Sequence, residues 1–259
     1  MRAGLRASHH PQTGPSALGR SVGPGGAACR LRAMCGRAYE TYTAEELAFA
    51  YLNRRPLKFA VVPNYNLAPT QVSPVVLMRH GVRDVELSRW GLIPFWAKTL
   101  ADAGKYSLIN ARGEEIAEKR SYAKAFRERR CVVPLSGFYE WRKDAQGVKH
   151  PMAIYRADGA PMSVAGVWST WQGDGAADPV PSFSIVTTRA NTFMESIHDR
   201  MPVVLDDPDL ELWLDPEVQE PERVMPLVRP CPPAWLAAHE VSRSVNSVKN
   251  HRPELLAAI

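Results

Sequence analysis

The sequence predicts an α+β fold, built as a single domain on a curved, mostly antiparallel β-sheet with short peripheral helices. Three observations support this prediction. Short apolar or alternating segments recur along the chain and are separated by glycine and proline turns, which is typical of strands. Short helical segments are interspersed among them, and no internal repeat or interdomain linker divides the chain. Finally, 259 residues are enough to bury a substantial core in one large domain.

Local patterns predict the elements in order. Thr43-Ala44-Glu45-Glu46 forms a capping box, so a helix begins there and ends before Pro56. Residues 63–70 form a proline-bounded loop, and Val82 to Trp90 alternates as a half-buried strand does. The chain continues as an aromatic loop, Trp90-Gly91-Leu92-Ile93-Pro94-Phe95-Trp96. Further strands are predicted at 72–78, 130–141, 152–156, 162–168, 183–188, 203–205 and near 241–243. Helical segments are predicted at 122–129 and 191–197, and residues 208–214 and those from 222 onward are predicted to be helical or loop-like.

Charge and cysteine content exclude several classes of protein. The formal net charge is +5, but residues 1–34 hold five arginines and no Asp, Glu or Lys, which leaves 27 basic and 27 acidic residues from Cys35 onward. Any nucleic-acid surface must therefore be a local arginine patch. No apolar run approaches the roughly 18 residues that a membrane span needs. The four cysteines form no CxxC pair and no Cys/His cluster, so we expect no metal, no cofactor and no disulfide framework, in a reducing compartment.

Residues 1–34 are rich in Gly, Pro, Ala, Ser and Arg and show no periodic apolar face, so we expect a disordered leader. Their arginine content and lack of acidic residues also resemble a transit peptide. A further explanation is that translation begins at Met34 and that the upstream residues reflect the choice of start codon. The ordered domain is predicted to span residues 35–259.

Cys35 opens this domain and is the first candidate for chemistry. A cysteine at the N-terminus of a chain carries a thiol and a free amine on adjacent carbons. The amine condenses with an aldehyde to an imine, and the sulfur then closes a five-membered ring. An internal cysteine has no such amine and is only a nucleophile. The structural alternative is a small apolar side chain at the start of a strand.

Three further residues are unusual for purely structural positions. Asn110 follows an apolar run, where a buried amide needs a partner. Glu140 lies in Phe138-Tyr139-Glu140-Trp141, and alternation places it on the side of Phe138; a desolvated carboxyl there suits proton transfer. His198 precedes an Asp-Arg pair, and histidine is suited to proton transfer near neutral pH. The structural alternatives are a turn-capping amide, a paired carboxylate and a hydrogen-bonded loop histidine.

The order of the motifs resembles one known family. They are Met34-Cys35-Gly36-Arg37, Asn66-Leu67-Ala68-Pro69, Trp90-Gly91-Leu92-Ile93-Pro94, Asn110-Ala111-Arg112, Gly137-Phe138-Tyr139-Glu140-Trp141 and Ile197-His198-Asp199-Arg200-Met201-Pro202, with Val241-Ser242-Arg243 and Val248-Lys249-Asn250 near the end. Together they resemble the SRAP (SOS-response-associated peptidase) family, from Cys35 to about Asn250. The resemblance implies an SRAP-like domain that senses abasic sites in single-stranded DNA and at single-strand/duplex junctions, and forms a covalent thiazolidine with the sugar.

The resemblance also implies a role for each site residue. Cys35 would be the nucleophile, Asn110 would orient the N-terminus and sugar, Glu140 would move protons, and His198 would assist opening of the deoxyribose ring. The implied DNA-binding residues are arginines that pair with phosphates, together with aromatic and apolar residues that stack on or wedge bases: Arg37, Arg112, Arg200, Arg243, Trp90, Ile93, Pro94 and Trp96.

Two alternative functions remain open at this point. The protein is a thiol peptidase that removes its own leader before Cys35, or a non-covalent single-stranded DNA-binding module. Self-cleavage and crosslinking are compatible, because cleavage generates the free amine. In each case we expect a cytoplasmic, nucleoid-associated monomer that uses no membrane.

Overall fold

The computed structural model describes residues 36–106, 108–173 and 178–259, which belong to one compact unit. The predicted leader (1–34) and Cys35 lie outside the described residues. The strands are β1 (Ala38–Glu40), β2 (Asn64–Leu67), β3 (Val72–Arg79), β4 (Val82–Trp90), β5 (Asn110–Arg112), β6 (Arg130–Leu135), β7 (Gly137–Lys143), β8 (Lys149–Arg156), β9 (Met162–Trp171), β10 (Val180–Arg189), β11 (Arg200–Pro202), β12 (Val204–Leu205) and β13 (Leu236–Glu240). The α-helices are α1 (Ala44–Tyr51), α2 (Leu100–Ala103), α3 (Ala123–Glu128), α4 (Asp207–Leu214) and α5 (Pro221–Val224), and short 3-10 turns connect several elements.

Two β-sheets form the framework, which confirms the α+β prediction. The first sheet has the order β13-β8-β7-β1-β2, and the second has the order β11-β10-β4-β3-β6-β9-β12. An additional pairing of β10 with β9 closes β10, β4, β3, β6 and β9 into a ring of paired strands, which requires the curvature that we expected. The pairings are antiparallel except where β10 runs parallel to β4 and to β5.

Helix α1 begins as its capping box predicts. The Thr43 hydroxyl accepts a hydrogen bond from the Glu46 N–H over 3.1 Å, and the Thr43 N–H donates to the Glu46 carboxylate over 2.7 Å. Both orphan donors at the helix start are thereby satisfied. The helix buries Leu47, Ala48 and Tyr51 and ends before Pro56, in agreement with the sequence.

Apolar residues pack in layers on the two faces of the first sheet. The intersheet cluster joins the two sheets; its members include Ala38, Phe138, Met152, Ile154, Val133, Phe183, Ile185 and Met201, with Ile109 and Ile197 packed at its edge. The outer cluster covers the opposite face of the first sheet and consists of Tyr39, Tyr139, Ala153, Val241, Val245 and Leu255. The helix-side cluster packs α1, α3 and α4 against the second sheet. Each fully buried large apolar side chain contributes about 1.5–3 kcal/mol.

Four predicted elements are wrong. The single strand predicted at 130–141 is two strands, β6 in the second sheet and β7 in the first. The proline-bounded loop contains strand β2, which pairs with β1 at the edge of the first sheet. The last strand is β13, which ends before Val241; a 3-10 turn occupies Arg243–Asn246 instead. Only a 3-10 turn, Met194–Ser196, forms where a helix was predicted at 191–197. In each case contacts with distant segments fix the backbone.

Glu40 is a buried carboxyl in β1 that the motifs did not single out. It is 4% exposed and accepts a hydrogen bond from the Ser73 hydroxyl. Burial raises the pKa of Glu40 to about 7, although the hydroxyls of Ser73 and Tyr42 act in the opposite direction. The folded protein therefore favours the protonated form of this side chain.

Replacing Glu40 by glutamine should stabilise the protein at alkaline pH. The folded-state pKa lies above the ordinary value of 4.5, so the contribution of Glu40 to stability is fully present below that pH and is lost as the pH rises through about 7. Glutamine does not ionise, so the difference in unfolding free energy between Glu40→Gln and wild type should grow by on the order of 1–3 kcal/mol between pH 5 and 8. Urea unfolding at both pH values measures this difference; a constant difference would contradict the interpretation.

Candidate active site

The described chain begins beside Glu140. Strand β1 pairs with β7 in an antiparallel register that places Ala38 opposite Phe138, and a backbone hydrogen bond of 2.9 Å continues the pairing one residue further. The same register places Gly36 opposite Glu140. Cys35 lies outside the described residues, but it is covalently joined to Gly36. Cys35 therefore directly precedes a residue that lies opposite Glu140.

Glu140 lies on the buried face of β7. Phe138 packs into the intersheet cluster, whereas Tyr139 packs into the outer cluster on the opposite face. Glu140 itself is 4% exposed and has Met152 as its neighbour in β8. The predicted facing of Glu140 is therefore confirmed. The close approach of β1 to β7 depends on Gly137, because a Cβ at that position would collide with the Tyr39 hydroxyl and the Ile154 carbonyl.

Asn110 is the first residue of β5 and lies near the beginning of the described chain. It pairs with Ile185 of β10. The carbonyl before it, that of Ile109, accepts a hydrogen bond from the Trp90 indole over 2.9 Å, and its own carbonyl accepts one from the Tyr122 hydroxyl over 3.0 Å. A Cβ placed on Gly36 would lie 3.9 Å from the Ile109 side chain. Ile109, the residue before Asn110, thus lies next to Gly36, and Gly36 is joined to Cys35.

His198 follows the 3-10 turn Met194–Ser196 and precedes β11. Its Nδ1 lies 3.2 Å from the Arg200 nitrogen and 2.9 Å from the Asp199 carboxylate. Nδ1 accepts from the Arg200 N–H when the ring proton is on Nε2, and it donates to Asp199 when Nδ1 itself is protonated. The His198 side chain is 14% exposed, whereas that of Asp199 is 87% exposed. The loop therefore holds the ring through contacts at Nδ1.

The three candidate catalytic residues border one apolar cluster. Ile109, Phe138 and Ile197 each lie one or two residues before a candidate and pack in or against the intersheet cluster. Asn110, Glu140 and His198, far apart in sequence, are therefore placed along the border of the same cluster. Gly36 meets this cluster too, through its approach to Ile109.

The four predicted phosphate-binding arginines differ in their surroundings. Arg112 and Arg243 are exposed. Arg37 is half-buried and donates from Nη1 to the Asn66 side chain over 2.7 Å and to the Val245 carbonyl over 2.6 Å; burial lowers its pKa.

Arg200 is buried and already holds an anion. It donates to both carboxylate oxygens of Glu114, over 3.0 and 2.8 Å, and to the carbonyl and hydroxyl of Thr187. Burial acts to raise the pKa of Glu114, but the hydrogen bond from Arg200 and the charges of Arg200 and Arg112 outweigh it, so this pKa is lowered. A phosphate would have to displace Glu114 to reach Arg200.

The aromatic loop after β4 divides into a buried part and an exposed part. Trp90 and Ile93 are 0% exposed and Pro94 is buried, so these residues do not have the base-contacting position that we expected. Trp90 stacks on Phe183 inside the intersheet cluster. Trp96, by contrast, is half-buried and remains available at the surface.

The whole domain matches one family model. The model is described as SOS response associated peptidase (SRAP), and it matches residues 34–248. The chain belongs to the SRAP family.

Named relatives and a solved structure agree with this membership. The abasic site processing protein YoqW of Bacillus subtilis is 37% identical over 194 residues, which cover 75% of this chain and 85% of that protein. The abasic site processing protein HMCES of Xenopus tropicalis is 33% identical over 226 residues, covering 76% of this chain and 66% of that protein. A crystal structure of a protein from Bacteroides thetaiotaomicron is similar with a TM-score of 0.75 and 25% identity, over 87% of this chain and 100% of the other.

Two features of this SRAP domain were missed in the sequence. Phe95 is 69% exposed and packs edge-on against Trp96, and Arg120 lies over both rings, at 5.8 and 5.0 Å from their centroids. Arg89 is half-buried and donates to the Gly91 carbonyl over 2.8 Å; a Cβ on Gly91 would touch both Arg89 and Ile109. The sequence indicates Phe95 as the residue before Trp96 in the aromatic loop. No sequence pattern indicates Arg89 or Arg120, because only folding brings these two side chains to their positions.

The described ranges also define what the SRAP domain can hold. Among residues 36–106, 108–173 and 178–259, no three His, Cys, Asp or Glu side chains are grouped so that they could bind a metal ion. None of the helices in that part of the chain has the length and apolar content that a membrane crossing needs.

Proposed function

We propose that this SRAP-family protein processes abasic sites in DNA by forming a thiazolidine between Cys35 and the sugar of the lesion. One observation carries the proposal. Gly36, which is joined to Cys35, lies opposite the buried Glu140, and it also lies next to Ile109, the residue before Asn110. The names of the relatives, abasic site processing proteins, support the same substrate.

The proposed reaction balances with the loss of one water. The ring-opened sugar presents an aldehyde at C1′. The Cys35 amine adds to this carbon, the resulting carbinolamine loses water, and an imine forms. The thiol sulfur then adds to the imine carbon while its proton passes to the nitrogen, which closes the ring. Because closure is intramolecular, positioning alone supplies several kcal/mol of the barrier.

Each site residue has a role that its position supports. Glu140 donates a proton to the leaving hydroxyl of the carbinolamine and accepts one from the thiol, acting as general acid and base. Asn110 orients the N-terminal segment and the sugar. His198 acts in the form that is protonated on Nε2 and donates that proton to the ring oxygen as the sugar opens.

The reaction needs an unprotonated amine and a reactive thiol near neutral pH. An α-amine titrates at about 7.7–8.0 and a thiol at about 8.5, so useful fractions of both reactive forms exist at physiological pH. An arginine close to a thiol increases its thiolate fraction further. This chemistry requires no metal.

The proposed partner is single-stranded DNA that contains an abasic site, including single-strand/duplex junctions. Arg112 and Arg243 are the accessible phosphate contacts, and Arg200 joins them if Glu114 releases it. Phe95, Trp96 and Arg120 form an exposed aromatic and cationic surface on which bases can stack. A monomer close to the nucleoid fits this substrate.

The proposal is tested with a single-stranded oligonucleotide that carries one uracil, after excision of the uracil. Protein that begins at Cys35 should give a DNA–protein species that survives a denaturing gel, and the same strand without a lesion should give none. Normal DNA binding without any covalent species would contradict the proposal and leave a non-covalent binding module.

A further inference from the structure

The C-terminal strap, residues 242–252, is a cationic segment that packs on the outer-cluster face of the first sheet and contacts Arg37. It carries Arg243, Lys249 and Arg252, all exposed, and contains no Asp or Glu. None of these three cations forms an ion pair with another described residue. Because the domain from Cys35 onward is formally neutral, an unpaired cationic segment of this kind is a local positive patch.

A buried amide holds the backbone of the strap. Asn66 is 0% exposed, and its side-chain nitrogen lies 2.9 Å from the Asn250 carbonyl, 3.0 Å from the Ser247 carbonyl and 3.3 Å from the Val245 carbonyl. Arg37 donates to the Val245 carbonyl as well and to Asn66 itself. The carbonyls of the strap therefore point inward, away from any anion at its surface.

Further contacts fix the backbone of the strap. The Trp141 indole donates to the Asn246 side chain over 2.8 Å, and the Asn250 side chain donates to the Ser244 carbonyl over 2.7 Å. Val245 is 0% exposed and packs into the outer cluster. A backbone fixed in this way loses little conformational entropy when it binds a ligand.

Two residues that hold the strap lie close in sequence to the candidate reaction groups. Arg37 lies two residues after Cys35, and Trp141 follows Glu140 in β7. Arg37 and Trp141 contact the strap on the outer-cluster side of the first sheet, opposite to the side that Glu140 faces. A single strand that approaches Cys35 from the outer-cluster side therefore passes over the strap.

We propose that the C-terminal strap binds the sugar–phosphate backbone of the single strand that leads into the candidate active site. Arg243, Lys249 and Arg252 neutralise phosphates, and the hydroxyls of Ser244 and Ser247 supply neutral donors. Arg37, whose Nη1 is occupied by the strap, acts as a positioning residue for this surface. The inference rests on the proposed function, because it takes the direction of the strand from the position of the lesion-binding site.

The test compares two double variants in binding to a lesion-free single strand. Lys249→Ala/Arg252→Ala removes two charges from the strap. Lys124→Ala/Arg127→Ala removes two exposed charges at the same sequence spacing from α3, which packs on the helix-side cluster. Fluorescence anisotropy across a salt series should show the magnitude of the slope of log K against log salt reduced by about 1.4 for the strap variant, since each single-strand phosphate contact contributes about 0.7. The α3 variant should keep the wild-type slope.

Each other outcome has a distinct meaning. An unchanged slope in the strap variant, an equal change in the α3 variant, or no binding of wild type to the strand would overturn the strap assignment. Competition by polyglutamate as effective as that by DNA of equal charge would overturn it in favour of an acidic peptide. Strap-dependent binding without any covalent species from the uracil-excised strand would retain the strap and contradict the proposed function. Thermal midpoints near that of wild type confirm folding, because exposed substitutions usually change stability by less than about 0.5 kcal/mol.

Discussion

A chain that retains any residue in front of Cys35 should form no covalent adduct with an abasic site. A peptide bond, like an acetyl group, removes the nucleophilic lone pair of the nitrogen, so no imine forms. The thiol alone gives only a hemithioacetal, which reverts when the protein is denatured. We expect loss of the denaturation-resistant species to background, measured as gel-shifted DNA after the uracil-excised strand is incubated with each form.

The matched control keeps the amine and removes the sulfur. Cys35→Ser retains the free N-terminus, so it should form an imine that cannot close to a thiazolidine. Its adduct should appear only when borohydride reduces the imine, whereas the wild-type adduct should appear without borohydride. A full yield from the blocked chain would show that the proposed amine chemistry is wrong.

Glu140→Gln should slow crosslinking by about 10²–10⁴-fold, the usual contribution of a positioned general acid and base. Glutamine has nearly the same size and keeps an acceptor oxygen, but it transfers no proton. Because Glu140 is 4% exposed, the carboxyl contributes little to a DNA-contacting surface, and the affinity for a lesion-free strand should stay close to that of wild type. Single-turnover crosslinking rates and anisotropy on the same preparations separate these two effects.

Glu40→Gln is the matched control for Glu140→Gln. Both carboxyls are 4% exposed and both lie in the first sheet. Glu40, however, accepts a hydrogen bond from Ser73, and the register of β1 and β7 places Glu140, not Glu40, opposite Gly36. The Glu40→Gln variant should crosslink at nearly the wild-type rate. Equal slowing in both variants, or a large loss of DNA affinity in Glu140→Gln, would assign a structural role to Glu140.

Local sequence patterns predicted a feature correctly where its physical cause lies within a few residues. The capping box of Thr43 and Glu46 predicted the start of α1, because both hydrogen bonds lie within three residues. The alternation in β7 predicted that Glu140 lies on the side of Phe138, because side chains in a strand alternate between faces, and Phe138 packs into the intersheet cluster. The α+β class was predicted from the short strand-like segments and the short helical segments between them.

The remaining features depend on contacts between distant residues. Trp90 reads as a candidate for base stacking, but its indole bonds to Ile109 and its ring stacks on Phe183, so it belongs to the core. Arg200 reads as a phosphate ligand, but it pairs with Glu114 across 86 positions in the chain. No local pattern encodes either contact.

The conformation of the strap also depends on contacts between distant residues. Asn66 holds carbonyls that lie 179 to 184 positions further along the chain, and this fixes the segment that follows the strand predicted near 241–243. The loop predicted at 63–70 contains β2 because Asn64 and Leu67 pair with β1. Sequence reasoning therefore proposes candidate reaction groups, but the surface that surrounds them depends on the fold.

The most direct test is the intact mass of the DNA–protein species, measured before and after borohydride, with peptide mapping of the attached residue. The account predicts a mass equal to protein plus DNA minus one water, unchanged by borohydride, with the DNA on Cys35. A gain of two mass units on reduction, or attachment at another residue, would contradict it.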